Sequence, residues 1–178
     1  MSAPAAYPAE LEQPVVLRDG RRVHLRPVRP DDAPALCALY DRLSVRTAYQ
    51  RFFTVMRRLP PDWARVFATV DYRRRLALVA EAVVDGEPAL VGVGRYEAGQ
   101  TDPTPEVAFV VQDGWQGQGL GTVLLQSLIR AGAARGYRRF RAYVLAENAP
   151  MLGLLARFTA VRESRLEDGV RVIEFEPR

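Results

Sequence analysis

The chain is expected to fold as an α/β (α+β) domain built on one central sheet of about six to seven strands, with about four helices on its faces. Three observations predict this. Apolar periodicities order the chain as strand, two or three helices, three strands, helix, strand, helix and two closing strands, without an internal repeat. A glycine-dense loop follows the apolar run Val107 to Val111 and leads into an amphipathic helix. At 178 residues with a hydrophobic fraction of 48%, the chain is large enough for one sizeable core and short for two.

Taken in order, residues 1–13 are Pro/Ala-rich and aperiodic and are expected to form a disordered tail, leaving 14–178 as a single domain. Val15 to Arg18, Asp19-Gly20 and Arg21 to Val28 read as a hairpin, because Asp-Gly between strand-like runs favours a tight turn. Its second arm alternates Val23 and Leu25 with Arg22, His24 and Arg26, which puts the only histidine on the polar face. Pro30-Asp31-Asp32 starts a helix carrying Leu36, Leu39, Tyr40 and Leu43. Further helical pieces run from Val45 to Phe53 and from Pro60-Pro61-Asp62 through Phe67. Lying between stretches of strand, these helices are candidate walls for a pocket.

Leu76 to Val84 and Ala89 to Tyr96 form two strands about the turn Asp85-Gly86-Glu87-Pro88, and a loop over 101–105 leads into the strand ending at Val111. The helix after the glycine loop stops at Arg135-Gly136. Arg139 to Leu145 alternates as a strand, Asn148-Ala149-Pro150 opens a helix to about Phe158, and two strands flank Glu167-Asp168-Gly169.

Composition removes several functions. All 25 basic residues are arginine, so a Walker lysine, a Schiff-base lysine and a Ser-Lys dyad are impossible. The single cysteine, Cys37, forms no internal disulfide and reads as a small core residue, which fits a reducing, cytoplasmic location. No apolar run approaches the ~20 residues that span a bilayer, and the first residues lack the pattern of a secretory signal. The net charge of +4 is read as solvated surface, because no arginine run with interleaved aromatics marks a nucleic-acid face. A metal is not expected, since one histidine and one cysteine hardly supply a ligand set.

In the loop itself, Gly117, Gly119 and Gly121 alternate with Gln118 and Leu120. Glycine admits positive φ and leaves backbone amides unshielded, and here those amides converge on a helix N-terminus that attracts anions. The dinucleotide fingerprint fails, because the sixth position from Gly117 is Thr122 and no acidic residue follows about 20 positions later. A pyrophosphate held by amides without lysine remains. Gln116-Gly117-Gln118-Gly119-Leu120-Gly121 resembles the Q/R-x-x-G-x-G/A acyl-CoA motif of the GNAT family of N-acetyltransferases, and Asn148, opening the helix after the next strand, is a second match. The resemblance spans about Val15 to Pro177. It implies a mixed, mostly antiparallel sheet splayed at a bulge, acetyl-CoA as cosubstrate, and pantetheine paired with the backbone of Phe109, Val110 and Val111. Gln116 to Gly121, Thr122, Asn148 and Met151 complete the implied cofactor site.

More narrowly, Leu17 to Gly20, Arg26 to Asp32, Arg51-Phe52-Phe53, Arg95-Tyr96 and Glu106 to Val111 resemble segments of bacterial Pat-type protein lysine acetyltransferases. That resemblance implies a protein substrate bearing a target lysine, with acyl-CoA synthetases as the substrate class, and a monomer or homodimer without nucleic-acid or membrane partners. A lysine amine with a pKa of about 10.4 must lose a proton before it attacks a thioester. Glu106 is the candidate base, sharing a strand face with Ala108 and Val110, where burial would raise its pKa. An arginine-paired structural glutamate is the alternative, and Glu81 a second candidate. The family's tyrosine general acid is replaced by Leu155, with Tyr143 read as a packing residue first and a conceivable substitute second. A small-amine acetyltransferase and a non-catalytic acyl-CoA-binding module are the competing functions.

Overall fold

The computed structural model describes residues 5–178, so the first four residues of the expected tail lie outside the described part. Eight strands form one sheet in the order β1-β2-β3-β4-β5-β6-β8-β7. They are β1 (Gln13–Val16), β2 (Arg22–Pro27), β3 (Arg75–Val84), β4 (Glu87–Glu97), β5 (Glu106–Val111), β6 (Phe140–Leu145), β7 (Thr159–Glu167) and β8 (Val170–Pro177). The helices are α1 (Ala33–Asp41), α2 (Val45–Phe52), α3 (Pro61–Ala68), α4 (Leu120–Ala134) and α5 (Ala149–Phe158). The α/β expectation holds with one strand and one helix more than counted, because both arms of the first hairpin pair as separate strands and α2 and α3 are distinct helices.

Every neighbouring strand pair is antiparallel except β5 with β6. That parallel pairing covers only Glu106 with Arg141 and Val107 with Ala142. Beyond it the two strands part, which is the splay expected of the sheet. Pairing of β4 with β5 keeps one register from Glu97–Glu106 to Gly92–Val111, and register shifts lie instead at Ala80/Glu81 and Val161/Glu163. Pairing of β6 with β8 is equally regular, so the sheet parts between two intact halves.

Two apolar layers cover the sheet. On one face Leu36, Leu39, Ala64, Val79, Val93 and Val110 pack α1 and α3 against the strands. On the other, Leu120, Leu124, Leu125 and Leu128 of α4 meet Leu78, Val91, Tyr96, Val107 and Phe140. Alternation along β5 explains the division, since successive side chains point to opposite faces. Val110 joins the first cluster, while Val107 and Phe109 join the second.

Residues 5–13 differ from the unstructured tail expected of them. Ala9–Leu11 forms a 3-10 turn, β1 begins at Gln13, and the Tyr7 ring meets Tyr72 edge-on at 5.9 Å with the Arg29 guanidinium 4.8 Å from its centre. The aromatic anchor at Tyr7 supplies contacts that aperiodic composition does not reveal. A buried ion pair stands near the start of α1, where Arg26 donates to both oxygens of Asp32 at 2.8 Å.

Candidate active site

The parting of β5 and β6 leaves a cleft closed at one end by the turn and loop after β5. Asp113–Trp115 make a 3-10 turn, Gly117 takes φ 75° and Gly119 caps α4 in the left-handed region at φ 93°. A side chain at either glycine would strain the backbone, and a Cβ at Gly117 would meet nothing within 4 Å. The loop thus faces open space with bare amides at a helix N-terminus. The outer cleft has a volume of about 750 Å³, and a narrower recess of about 100 Å³ lies deeper, along Val107 to Val111.

Most of the expected cofactor residues come together here. Phe109, Val110, Val111, Gln116, Asn148 and Met151 line both spaces, and Gly117, Gly119, Gly121 and Thr122 line the outer cleft. Gln118 and Leu120 do not line either space. The Gln118 carbonyl accepts a hydrogen bond from the Arg18 amide at 3.0 Å, while Leu120 is fully buried, with Cδ2 3.2 Å from where a Cβ on Gly92 would stand. Leu120 thus holds the loop by packing. The Gln116 side-chain amide donates to the Val111 carbonyl at 2.9 Å and to Thr47 at 3.3 Å, and the Asn148 side-chain oxygen caps α5 by accepting from Met151 N at 3.3 Å. Asn148 retains its two N–H donors for a ligand.

Glu106 stands at the first residue of β5, opposite Glu97 on β4 and beside Arg141 on β6. It shares its face with Ala108, opposite Arg95, and with Val110, so it belongs to the side of the sheet covered by α1–α3. The residue is exposed and lines neither the recess nor the outer cleft, standing one position before the recess-lining Val107. Enough protein surrounds the carboxylate, however, that burial, the largest influence, raises its pKa above the ordinary glutamate value. Arg51 opposes the rise and Glu97 adds to it. Among the described residues Glu106 forms no ion pair, and Arg141 beside it is bound by Asp102 at 2.6 Å and Glu174 at 2.7 Å. Glu81 lies elsewhere, 3.2 Å from Arg26 in the buried cluster with Asp32.

Leu155 is fully buried in the α4-side core, so its position offers nothing to the cleft. Tyr143 is 39% exposed and lines the inner recess. Cys37 is half-buried with Sγ 3.7 Å from the Leu59 carbonyl, and His24 meets Glu12 at 3.2 Å, both away from the cleft. Among the described residues, no cluster of His, Cys, Asp or Glu could hold a metal ion, and no helix is long and apolar enough to cross a membrane.

Sequence reasoning missed how α2 joins the site. Asp113 accepts from the Ser44 amide at 3.0 Å, the Ser44 hydroxyl at 2.7 Å and the Thr47 hydroxyl at 2.9 Å, tying the start of α2 to the turn before the glycine loop. Thr47, Gln50 and Arg51 thereby become one wall of the recess. Arg18, Arg46 and Arg157 at the outer cleft also went unassigned as cofactor residues. The Asn/Ser-type cap signal at Ser44 was readable, but the partners lie about 70 positions away. Arg95 carries a further buried cation on the same sheet face. Burial, followed by the repulsion of Arg51, lowers its pKa to about 10, and its Nη1 has no hydrogen-bond partner, standing 3.6 Å from Glu97.

Comparison with known proteins agrees with this geometry. The family profile described as an acetyltransferase (GNAT) domain matches residues 22–160. An acetyltransferase of Pseudomonas aeruginosa is 32% identical over 157 residues, which cover 88% of this chain and 84% of that protein. The acetyltransferase Pat of Mycolicibacterium smegmatis is 32% identical over 148 residues, covering 83% of this chain but 44% of Pat, so the chain spans less than half of that relative. The crystal structure of the GNAT domain of S. lividans PAT superposes with a TM-score of 0.84 at 35% identity, covering 96% of this chain and 99% of that one.

Proposed function

From the premise that the chain belongs to the GNAT family of acetyltransferases, we propose that it moves an acetyl group from acetyl-CoA to the ε-amine of a lysine on a protein. Acyl-CoA synthetases are the proposed substrate class, and Glu106 is the proposed base. The observation that carries the reading is the cleft itself, where bare amides at the α4 N-terminus meet the free edge of β5, with Glu106 one residue before the recess-lining Val107. The similarity to Pat of M. smegmatis and to the S. lividans domain supports the choice of a protein acceptor.

The cleft fits the donor chemically. Bare amides around Gly117 and Gly119 suit a diphosphate, the free edge of β5 beyond Val107 suits an amide-bearing arm, and the one carboxylate lining the outer cleft, Asp113, is occupied by Ser44 and Thr47. Acetyl-CoA supplies a thioester, whose carbonyl carbon is open to attack by an amine. Glu106 takes one proton from the acceptor ammonium, so that the nitrogen lone pair can form the new C–N bond as the C–S bond breaks, and the second proton that the nitrogen sheds on becoming an amide passes to the departing thiolate, directly or through Tyr143. Arg51 lines the recess and acts on Glu106, so it also disfavours an ammonium there relative to the neutral amine. An amide near Val110 or Val111 stabilises charge on the carbonyl oxygen. The thiolate leaves with a free-thiol pKa of about 8.5 and needs little help; Tyr143 is the phenol lining the recess that can give it a proton.

A small amine as acceptor is the second reading, favoured by the recess volume of about 100 Å³. Side-by-side assays with acetyl-CoA of acyl-CoA synthetases and small amines, followed by mass-spectrometric mapping of the modified lysine, separate the two. Acetylation of a defined lysine well above the rate on any free amine is the expected outcome; turnover on small amines alone would overturn the protein-acceptor reading.

A further inference from the structure

Positive charge is spread unevenly along the chain. Residues 42–65, which cover α2, the loop after it and the first half of α3, hold six arginines and one acidic residue, Asp62, whereas the rest of the chain holds 19 arginines against 20 acidic residues. The net charge of +4 thus comes entirely from this one segment. Three of its arginines are engaged. Arg42 donates to the Gln112 side chain at 3.0 Å and the Leu90 carbonyl at 2.6 Å, Arg51 lies 4.6 Å from the centre of the Phe52 ring, and Arg65 pairs with Asp62. The other three, Arg46, Arg57 and Arg58, are exposed, and among the described residues their side chains form no ion pair.

Apolar side chains share this face. Val45, Tyr49, Val55, Trp63 and Val66 are all exposed. Beneath them Phe52 meets Tyr40 at 5.3 Å, Trp63 at 6.2 Å and Phe67 at 6.3 Å, which packs α2 and α3 into one unit. Arginine and exposed aromatics without lysine and with a single acid make the composition of a protein interface, where a face that meets only water carries both signs of charge. The unit also borders the chemistry, because Thr47, Gln50 and Arg51 line the recess. A protein interface of ordinary size covers about 800 Å² on each partner, a disc of about 16 Å radius, while an eight-residue helix is about 12 Å long. A protein with its lysine in the recess therefore lies across α2 and meets what adjoins it.

Resting on the protein-acceptor reading above, we propose that the exposed face of α2, α3 and the loop between them docks an acidic surface surrounding the acceptor's target lysine. The arginine fork suits carboxylates two hydrogen bonds at a time, and the exposed valines, tyrosine and tryptophan supply apolar area that charge alone does not. Because the chain contains no lysine, this face gathers acidic partners without offering the acetyl group a side-chain amine of its own.

Acetylation by acetyl-CoA of amine-blocked peptides with one central lysine flanked by glutamate, glutamine or arginine tests this, alongside a panel of acyl-CoA synthetases. The wild type should acetylate the glutamate-flanked peptide with a kcat/KM at least about tenfold above that for the glutamine-flanked one, the lower end of what charge steering achieves, and the arginine-flanked peptide should be slowest. That advantage should shrink as added salt shortens the Debye length. Arg57→Gln/Arg58→Gln should lose most of the advantage and slow on any synthetase the wild type accepts, with its rate on the glutamine-flanked peptide unchanged, which also reports that it is folded. Equal wild-type rates on the glutamate and glutamine peptides, or acidic-peptide and synthetase rates that the variant leaves unaltered, overturn the docking surface and leave the protein acceptor standing. Acetylation of small amines but of no peptide or synthetase overturns the protein-acceptor reading and the surface with it. Sedimentation of both proteins supplies the remaining outcome: self-association that the variant abolishes gives the face to a second copy of the chain and overturns the acidic acceptor.

Discussion

A base that must deprotonate an amine works best when its own proton is held a little too tightly for an ordinary carboxylate, and Glu106 meets that condition through burial and the facing carboxylate of Glu97. Replacing it with glutamine should lower kcat by roughly 10²-fold or more while leaving the acetyl-CoA Kd unchanged, as read by steady-state kinetics and calorimetry. The same substitution has an effect on stability whose sign follows from linkage. Because the folded-state pKa of Glu106 lies above its unfolded value, the folded protein holds the extra proton between the two, and stability is lost as pH rises through that window. Chemical denaturation at several pH values should therefore find Glu106→Gln gaining relative to the wild type from the ordinary glutamate pKa upward. An unchanged difference across that range would show that Glu106 titrates normally.

Among the elements, α2 couples the two halves of the site through Asp113. Burial pushes the Asp113 pKa up, but the Ser44 amide and hydroxyl and the Thr47 hydroxyl outweigh it, and the net pKa is lowered. Its stabilising contribution is thus present at neutral pH and fades only as pH falls through that lowered value. Asp113→Ala should cost about 1–3 kcal/mol in denaturant unfolding, by removing the carboxylate that these donors share. Because Thr47, Gln50 and Arg51 then lose their fixed position, the acceptor KM should rise more than the donor Kd. The types and ends of the elements were readable because turn residues and periodicities are local: Asp19-Gly20, Asp85-Gly86, Gly136 and Asp168-Gly169 all fall between elements, each with a positive-φ glycine. The glycine loop and Asn148 were readable for the same reason. The partners of Asp113, the arrival of Arg18 at the loop and the packing of Leu120 inside a ligand-binding motif depend on contacts between distant positions, which no local pattern encodes.

The molecule as a whole is held by two apolar layers with little slack in the one beneath α4. A Cβ on Gly132 would lie 2.8 Å from Phe140 Cε1 and Cζ, and the Phe140 ring, fully buried, is stacked on Phe175 at 5.8 Å and set against Tyr96 at 6.3 Å. Gly132→Ala gains about 1 kcal/mol of helix propensity but forces a ring that has nowhere to move, at a cost of about 1–3 kcal/mol. The clash should win, and a thermal melt should show a Tm several degrees lower. The gap between β5 and β6 interrupts this otherwise continuous body where pairing stops at Val107. A sheet interrupted in its middle is a wall with a doorway, framed here by α2, α4 and α5, with an inner recess and an outer cleft. Two reactants can then stand in the doorway together, so initial-rate lines for donor and acceptor should intersect, and neither has to depart before the other arrives.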